Sequence, residues 1–275
     1  KRPWQGQNEA IASDDYRALI QKIRNDKSID AVVLRVNSPG GSALASDIIW
    51  REIDLLKKEK PVVVSMGDVA ASGGYYIACG ADSIFADANT ITGSIGVFSV
   101  IPNAEKFLKN KIGITFDRVK TGQYADAPSA TRALTISEQR FLQAGVDSVY
   151  HTFKSRVAAG RQKSVDYIDS IAQGRVWTGA DAIKVRLVDK IGTLNDALAS
   201  AAKMAKLKGY SVKKYPESRS FIEEFFEGYK NEVKTKAIQQ ELGLEQWEVL
   251  QQLKSMKQLM GQPQARLPIF EFTQR

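Results

Sequence analysis

Three short, continuous apolar runs constrain the fold of this chain more than any other feature. They span residues 31–36, 61–66 and 83–86, and residues 14–26 and 44–59 show helical spacing of apolar side chains. Strands that are buried on both faces have such uninterrupted apolar runs. Strands that alternate with helices form a parallel sheet with crossover helices. The sequence therefore predicts an α/β fold.

The roughly 190 residues that follow the third apolar run fall into two regions of different amino-acid composition. Further elements are predicted as a β-like segment at 115–119 and helices at 137–160 and 194–207. After residue 216 the chain becomes rich in Glu, Gln and Lys, which predicts amphipathic helices at 221–236 and 241–260 and an extended tail at 263–275. We therefore predict a main domain at 1–215 and a helical C-terminal extension at 216–275.

Composition excludes several classes of protein. The 275 residues are 43% hydrophobic and 25% charged, which is typical of a globular protein, and no apolar stretch is long enough to span a membrane. The net charge is +8, but the basic residues alternate with acidic ones, so we expect no nucleic acid partner. Cys79 is the one cysteine and follows an apolar run, so it predicts a core position and neither a disulfide nor a metal site.

Two glycine-rich turns carry the candidate chemistry, and the first spans residues 37–42. Gly40 and Gly41 follow the first predicted strand and precede a helix. Their amides are not shielded by side chains and can hold an oxyanion. A tight strand-to-helix turn without any ligand is the alternative interpretation.

The second turn contains Ser72, which is flanked by small residues and opens a predicted helix. This placement suits a nucleophile, and the amide of Gly73 can join an oxyanion hole. The alternative is a serine that only caps the helix. Both turns fall at the carboxyl edge of neighbouring parallel strands, which is where such sheets place their sites.

A nucleophilic serine needs a base. His151 is the one histidine, and it lies in the middle of the predicted helix at 137–160 beside apolar residues, where it is expected to pack or to contact solvent. A Ser-His-Asp triad is therefore not expected. A lysine whose charged form is disfavoured by burial is the remaining candidate.

Four stretches in order resemble the signal peptide peptidase A family of serine–lysine peptidases. They are VVLRVNSPGGS (32–42), SMGDVAASGGYYIA (65–78), TGSIGV (92–97) and AQGRVWTG (172–179). The resemblance runs from about residue 13 to about residue 215. It implies a Clp protease/crotonase-like parallel-sheet fold and a peptidase that needs no cofactor or metal.

The resemblance also implies roles for single residues. Ser72 matches the catalytic nucleophile, and Gly40, Gly41 and Gly73 match the oxyanion-hole turns. Ser94 matches a serine that orients the catalytic lysine in the short, single-domain members.

The chain differs from the short members at the position of the catalytic lysine, which is their general base. The position of their lysine falls on Ala125, five residues after Lys120, which is therefore a possible substitute base. Long, two-domain members lack the lysine in their C-terminal half in the same way, and their N-terminal half supplies it. We therefore interpret the chain as the C-terminal catalytic half of a long-form member, without the first strand of its domain.

The family resemblance predicts partners and location. It implies apolar, signal-peptide-like substrates, a homo-oligomeric ring or dome, and the N-terminal half of the same protein as partner. It places the catalytic domain on the outer, periplasmic face of the inner membrane, in contact with the membrane surface, with an anchor outside this chain. Two alternatives stay open: a catalytically incomplete peptide-binding scaffold of the same fold, and an acyl-CoA enzyme of the crotonase type.

Overall fold

The computed structural model describes residues 11–216 and 263–266, and these form an α/β fold. The strands are β1 (Val32–Ser38), β2 (Gly40–Ser42), β3 (Val62–Ala71), β4 (Ser83–Ala86), β5 (Ile91–Gly93), β6 (Val176–Thr178), β7 (Lys190–Ile191) and β8 (Gln264–Arg266). The α-helices are α1 (Ser13–Asn25), α2 (Ala43–Lys57), α3 (Gly73–Ala78), α4 (Glu105–Phe107), α5 (Ile136–Arg161), α6 (Val165–Ile171), α7 (Gly179–Ala182) and α8 (Leu194–Met204), and a π-helical turn (Leu108–Ile112) continues α4.

The main sheet is organised around β3, its longest strand. β1 pairs with β3 along one side, and on the other side β4 pairs with its first half and β5 with its second half. All three pairings are parallel, and β7 adds a further parallel strand beside β4. Of the strands described for this sheet, β6 alone is antiparallel, to its neighbour β5. The predicted α/β class with a parallel sheet and crossover helices is therefore confirmed.

Residues of β3 alternate between two cores, one on each face of the sheet. Val62 and Val64 join the larger core with α1, α2, α3 and α5, while Val63 joins a smaller core against α8. All three valines are fully buried. Because the start of β3 is enclosed on both faces of the sheet, polar side chains are disfavoured at residues 62–64, which explains the continuous apolar run there.

The structure corrects one predicted element. Residues 115–119, predicted as β-like, form no strand, and the whole stretch 111–120 is exposed. Among the described residues no strand pairs with this stretch, and an unpaired strand leaves its backbone groups to water. The sequence pattern indicated a strand, but the described part of the fold offers no strand with which it pairs.

The predicted C-terminal extension is described only in part. The helices predicted at 221–236 and 241–260 lie outside the described residues, and the domain boundary at 215/216 stays a prediction. The described piece of the predicted extended tail is extended, since β8 pairs with β2.

Candidate active site

Ser72 lies at the carboxyl end of β3, between the strand and α3. Its backbone has φ 53° and ψ −115°, a conformation that residues with a side chain rarely adopt. Its amide donates a hydrogen bond to the carbonyl of Gly93 (2.8 Å), at the end of β5. Strain of this kind costs about 1–3 kcal/mol and persists where the surroundings hold the backbone, often at active sites.

The hydroxyl of Ser72 does not cap α3. It makes no capping hydrogen bond, and Oγ is buried with no hydrogen-bond partner among the described residues. The alternative interpretation as a capping serine is therefore wrong. A buried hydroxyl without a partner is uncommon because it loses hydrogen bonds to water without replacing them.

The two glycine-rich turns converge at α3. A Cβ on Gly73 would stand 3.1 Å from the amide nitrogen of Gly41, and a Cβ on Gly74 would stand 2.5 Å from the carbonyl oxygen of Ser38. Only residues without a Cβ permit this approach. The amides of the first turn therefore lie beside the residue that follows Ser72, as the parallel-sheet argument predicted.

The two glycines of the first turn differ in their surroundings. Gly40 has φ 99°, and its amide donates to the hydroxyl of Ser38 at 3.2 Å. The amide nitrogen of Gly41 instead lies 3.1 Å from the point where a Cβ on Gly73 would stand, so this amide is close to the residue that follows Ser72.

Sequence reasoning did not single out Gly74 and Ser38, which hold the turns together. The only sequence signal was the second glycine of the Gly73-Gly74 pair. A tandem glycine at a helix start indicates that two backbones approach closely there.

Beside these turns lies a slot with strand-like backbone on both sides, here called the peptide slot. Its walls are Gly40–Ser42 and Phe98, and its occupant is β8. β8 pairs antiparallel with β2, with Gly41 opposite Ala265. Phe98 and Gln264 exchange two backbone hydrogen bonds of 3.0 and 2.7 Å on the other side. The slot thus binds an extended segment through main-chain bonds on both edges, which is how many proteins bind peptides.

Ser94 lies close to Ser72 through the backbone. It follows Gly93, whose carbonyl accepts the Ser72 amide, and it has φ 48°. Its own amide donates to the carbonyl of Arg175 at 2.7 Å. Ser94 is 4% exposed, so a lysine that it oriented would also have to enter a largely buried position.

The candidate base Lys120 is engaged elsewhere. Its Nζ lies 2.7 Å from Oδ1 of Asp126, and Arg132 holds the same carboxylate through Nε (2.9 Å) and Nη2 (2.7 Å). Hydrogen bonds from Arg132 and then from Lys120 hold the pKa of Asp126 well below its usual range. The ammonium group is therefore bound to a carboxylate, and Oγ of Ser72 has no partner in the described part of the chain.

The segment from Lys120 to Glu138 is organised by Arg132. Its Nη1 donates to Oε2 of Glu138 at 2.7 Å, and Glu138 is 2% exposed. Hydrogen bonds from Arg132 and from the amide of Thr135 lower the pKa of Glu138 to about 2. Ala125, at the position of the family lysine, is exposed.

The other candidate residues take no part in the site. His151 is exposed on α5, as expected for a solvated histidine. Cys79 is fully buried in the core, as predicted, and burial raises the pKa of its thiol to about 12. Within residues 11–216 and 263–266, no His, Cys, Asp and Glu side chains group as they would around a metal ion, and no helix has the length and hydropathy of a bilayer-spanning segment.

Comparison with known proteins identifies relatives. The model of the family described as peptidase family S49 matches residues 54–208. Protease 4 of Haemophilus influenzae is 46% identical over 197 residues, which cover 71% of this chain and 32% of that protein. The chloroplastic serine protease SPPA of Arabidopsis thaliana is 41% identical over 208 residues, 75% of this chain and 31% of that protein.

The chain spans about a third of the length of these two relatives. Among solved structures, a point mutant of ClpP1 from Listeria monocytogenes aligns with a TM-score of 0.45 and 18% identity. That alignment covers 68% of this chain and 86% of the ClpP1 chain.

Proposed function

The chain belongs to peptidase family S49, and from this premise we propose that it is the serine-bearing half of a membrane-associated endopeptidase with a serine–lysine dyad. Ser72 is the proposed nucleophile. The observation that carries the proposal is its buried hydroxyl, which has no partner among the described residues and sits on a strained turn directly before Gly73, close to which the amide nitrogen of Gly41 lies.

The proposed reaction has two stages. Oγ of Ser72 attacks a peptide carbonyl carbon while a neutral lysine takes the hydroxyl proton. The amides of Gly73 and Gly41 hold the oxyanion, and the lysine then protonates the departing amine. Water, deprotonated by the same lysine, hydrolyses the resulting ester. Loss of one oxyanion donor typically lowers kcat by about 10²–10³-fold.

We propose that the lysine comes from the N-terminal half of the same protein. Two observations support this: Lys120 is paired with Asp126, and Ala125 stands where the short family members have their base. The chain also covers only about a third of the two relatives, so those proteins contain further chain that could supply a lysine. Ser94 would then orient the incoming amine.

The proposed substrates are extended, largely apolar peptides of the signal-peptide type. The peptide slot supports this class because it offers main-chain hydrogen bonds on both edges. In keeping with the resemblance, we further propose a homo-oligomeric ring on the outer face of the inner membrane, with the anchor in another part of the protein.

Substitution of Ser72 in the full-length protein tests the nucleophile. Ser72→Ala is expected to abolish cleavage of a fluorogenic apolar peptide and to leave the melting temperature nearly unchanged. Ser170→Ala, on an exposed position of α6, makes the same chemical change and is expected to keep full activity. Retained turnover in the Ser72 variant would refute the assignment.

A second candidate function is peptide binding without catalysis. It is favoured by the absence of any hydrogen-bonded base on Oγ of Ser72 in the described residues. A fluorophosphonate probe separates the two. Labelling of Ser72 in the full-length protein but not in the isolated chain supports the split dyad, whereas no labelling in either supports a binding domain. The third alternative, a crotonase-type enzyme, has no support from the protease-named relatives.

A further inference from the structure

One stretch that the proposed reaction does not use is the turn at residues 173–175, here called the clamp turn. The carbonyl of Arg175 accepts a hydrogen bond from the amide of Ser94 at 2.7 Å, and the amide of Gly174 donates to the carbonyl of Ile95 at 2.9 Å. Directly after the turn, β6 continues the contact by pairing with β5. The clamp turn therefore holds the backbone of the segment that carries Ser94.

Through that segment the clamp turn is connected to the candidate nucleophile. The carbonyl of Gly93, directly before Ser94, accepts the amide of Ser72 at 2.8 Å. Trp177 packs on Gly93, since Cδ1 of its ring lies 2.6 Å from the point where a Cβ on Gly93 would stand. Ser72, Ser94 and Gln173 all have positive φ, which a residue with a side chain keeps only where its surroundings hold it. The contacts that hold the backbone of Ser72 thus include the clamp turn.

The clamp turn is in turn bonded to α5 by a tyrosine. Residues 173–176 are exposed, so the turn gains little from burial and depends on its hydrogen bonds. The hydroxyl of Tyr150 accepts a hydrogen bond from the amide of Gln173 at 3.0 Å. The helix that carries Tyr150 is anchored in the core, since Phe153, one turn further along, is fully buried. Tyr150 therefore ties an exposed turn to a fixed helix.

The phenol of Tyr150 is itself held by two charged neighbours. Its hydroxyl donates to Oδ1 of Asp169 at 3.4 Å, and Nζ of Lys154 lies 2.6 Å from the same oxygen and 4.4 Å from the centre of the Tyr150 ring. The hydrogen bond from Lys154 holds the pKa of Asp169 below its usual range, so this carboxylate is ionised at neutral pH. With its one hydrogen directed to Asp169, the phenol oxygen presents a lone pair to the amide of Gln173.

We propose that Tyr150 is a positioning residue for the peptidase reaction, which acts through the clamp turn to hold Ser94 and the backbone of Ser72 in their reactive arrangement. The inference rests on the proposed function in taking Ser72 as the nucleophile. The contacts run through residues 93–95 and not through β2, which is a wall of the peptide slot. Loss of the Tyr150 hydroxyl should therefore slow the chemical step without weakening the binding of substrate.

Tyr150→Phe in the full-length protein tests the proposal, because phenylalanine keeps the ring and its packing and removes only the hydroxyl. In hydrolysis of a fluorogenic apolar peptide, kcat is expected to fall by about tenfold or more while KM stays within about twofold. Tyr167→Phe is the matched control. The Tyr167 hydroxyl also bonds to the backbone, donating to the carbonyl of Val185 at 3.2 Å, but it lies outside this series of contacts. Both constants of the control are expected to stay within about twofold of the parent.

Hydrogen exchange of the same proteins gives a measurement that needs no catalysis. In Tyr150→Phe the amides of Gly174 and Ser94 are expected to exchange at least about tenfold faster than in the parent, while the amide of Val64, in the middle of the sheet, keeps the parental rate.

A kcat of Tyr150→Phe equal to that of the control would overturn the proposal, as would a rise in KM without a fall in kcat. Unchanged exchange at Ser94 would overturn it too, and so would a uniform rise in exchange that includes Val64, since that shows only a loss of stability. A failure of the proposed function appears separately, as retained turnover of the full-length Ser72→Ala protein.

Discussion

The substitution Gly74→Ala should push apart the two glycine-rich turns of the candidate site, at residues 37–42 and at Ser72–Gly74. The new Cβ would stand 2.5 Å from the carbonyl oxygen of Ser38 and 3.3 Å from its carbonyl carbon. Carbon–oxygen contacts of this kind settle at about 3.3 Å, so one backbone must move by roughly 0.8 Å. Neither atom belongs to a side chain that can rotate away. Overpacking of this kind costs about 1–3 kcal/mol of stability.

The same displacement should lower activity more than stability. A shift of about 1 Å in catalytic geometry costs about a hundredfold in rate, and here it moves the first turn away from Gly73. The assay is hydrolysis of a fluorogenic peptide by the full-length protein, together with chemical denaturation. Gly145→Ala is the matched control: its Cβ would meet nothing within 4 Å inside α5, so we expect unchanged activity and a gain of about 0.5–1 kcal/mol. Parental stability and activity of Gly74→Ala would refute the close approach on which the site depends.

Three further predictions concern the packing, the acid stability and the base. Phe153→Ala removes a fully buried ring stacked on Tyr76 at 4.5 Å and should cost about 3–5 kcal/mol in denaturant unfolding; a loss under about 1 kcal/mol would contradict this packing. The pKa of Glu138 is lowered to about 2, so the ionised carboxylate should contribute its full stabilisation above about pH 4.5 and lose it as the pH falls toward 2. The urea midpoint of Glu138→Gln should therefore depend less on pH over this window than the midpoint of the parent protein. Lys120→Met in the full-length protein should keep peptidase activity within about twofold, whereas a loss as large as that of Ser72→Ala would identify Lys120 as the base.

Local sequence patterns were sufficient for β1, β3 and β4 and for the meeting of the two turns, whereas the short strands β5, β6 and β7 were not predicted. Valine runs such as 62–64 have one interpretation in a parallel sheet, and the carboxyl ends of neighbouring strands necessarily meet at one edge. That reasoning placed Ser72 near Gly41 without coordinates. It could not give the turn geometry, because the positive φ of Ser72 depends on the Gly93 carbonyl, to which its amide is bound.

Long-range pairing was the part that the sequence could not reveal. β3 continues past Met66 through Gly67 and Asp68, which look like a turn, because Val69 to Ala71 pair with β5. Likewise nothing in the residues 264–266 indicates that they pair with β2. Such contacts depend on tertiary partners, and local propensity is a weak guide to them.

The length of β3 limits where this protein can tolerate insertions and deletions. Side chains alternate between the two faces of the sheet, so removing one residue within 62–71 would turn the Ser72 hydroxyl to the opposite face and take its amide off Gly93. The exposed stretch 111–120 carries no such constraint and can gain or lose residues at little cost. The spacing between Val62 and Ser72 is therefore as necessary to the nucleophile as its oxygen atom.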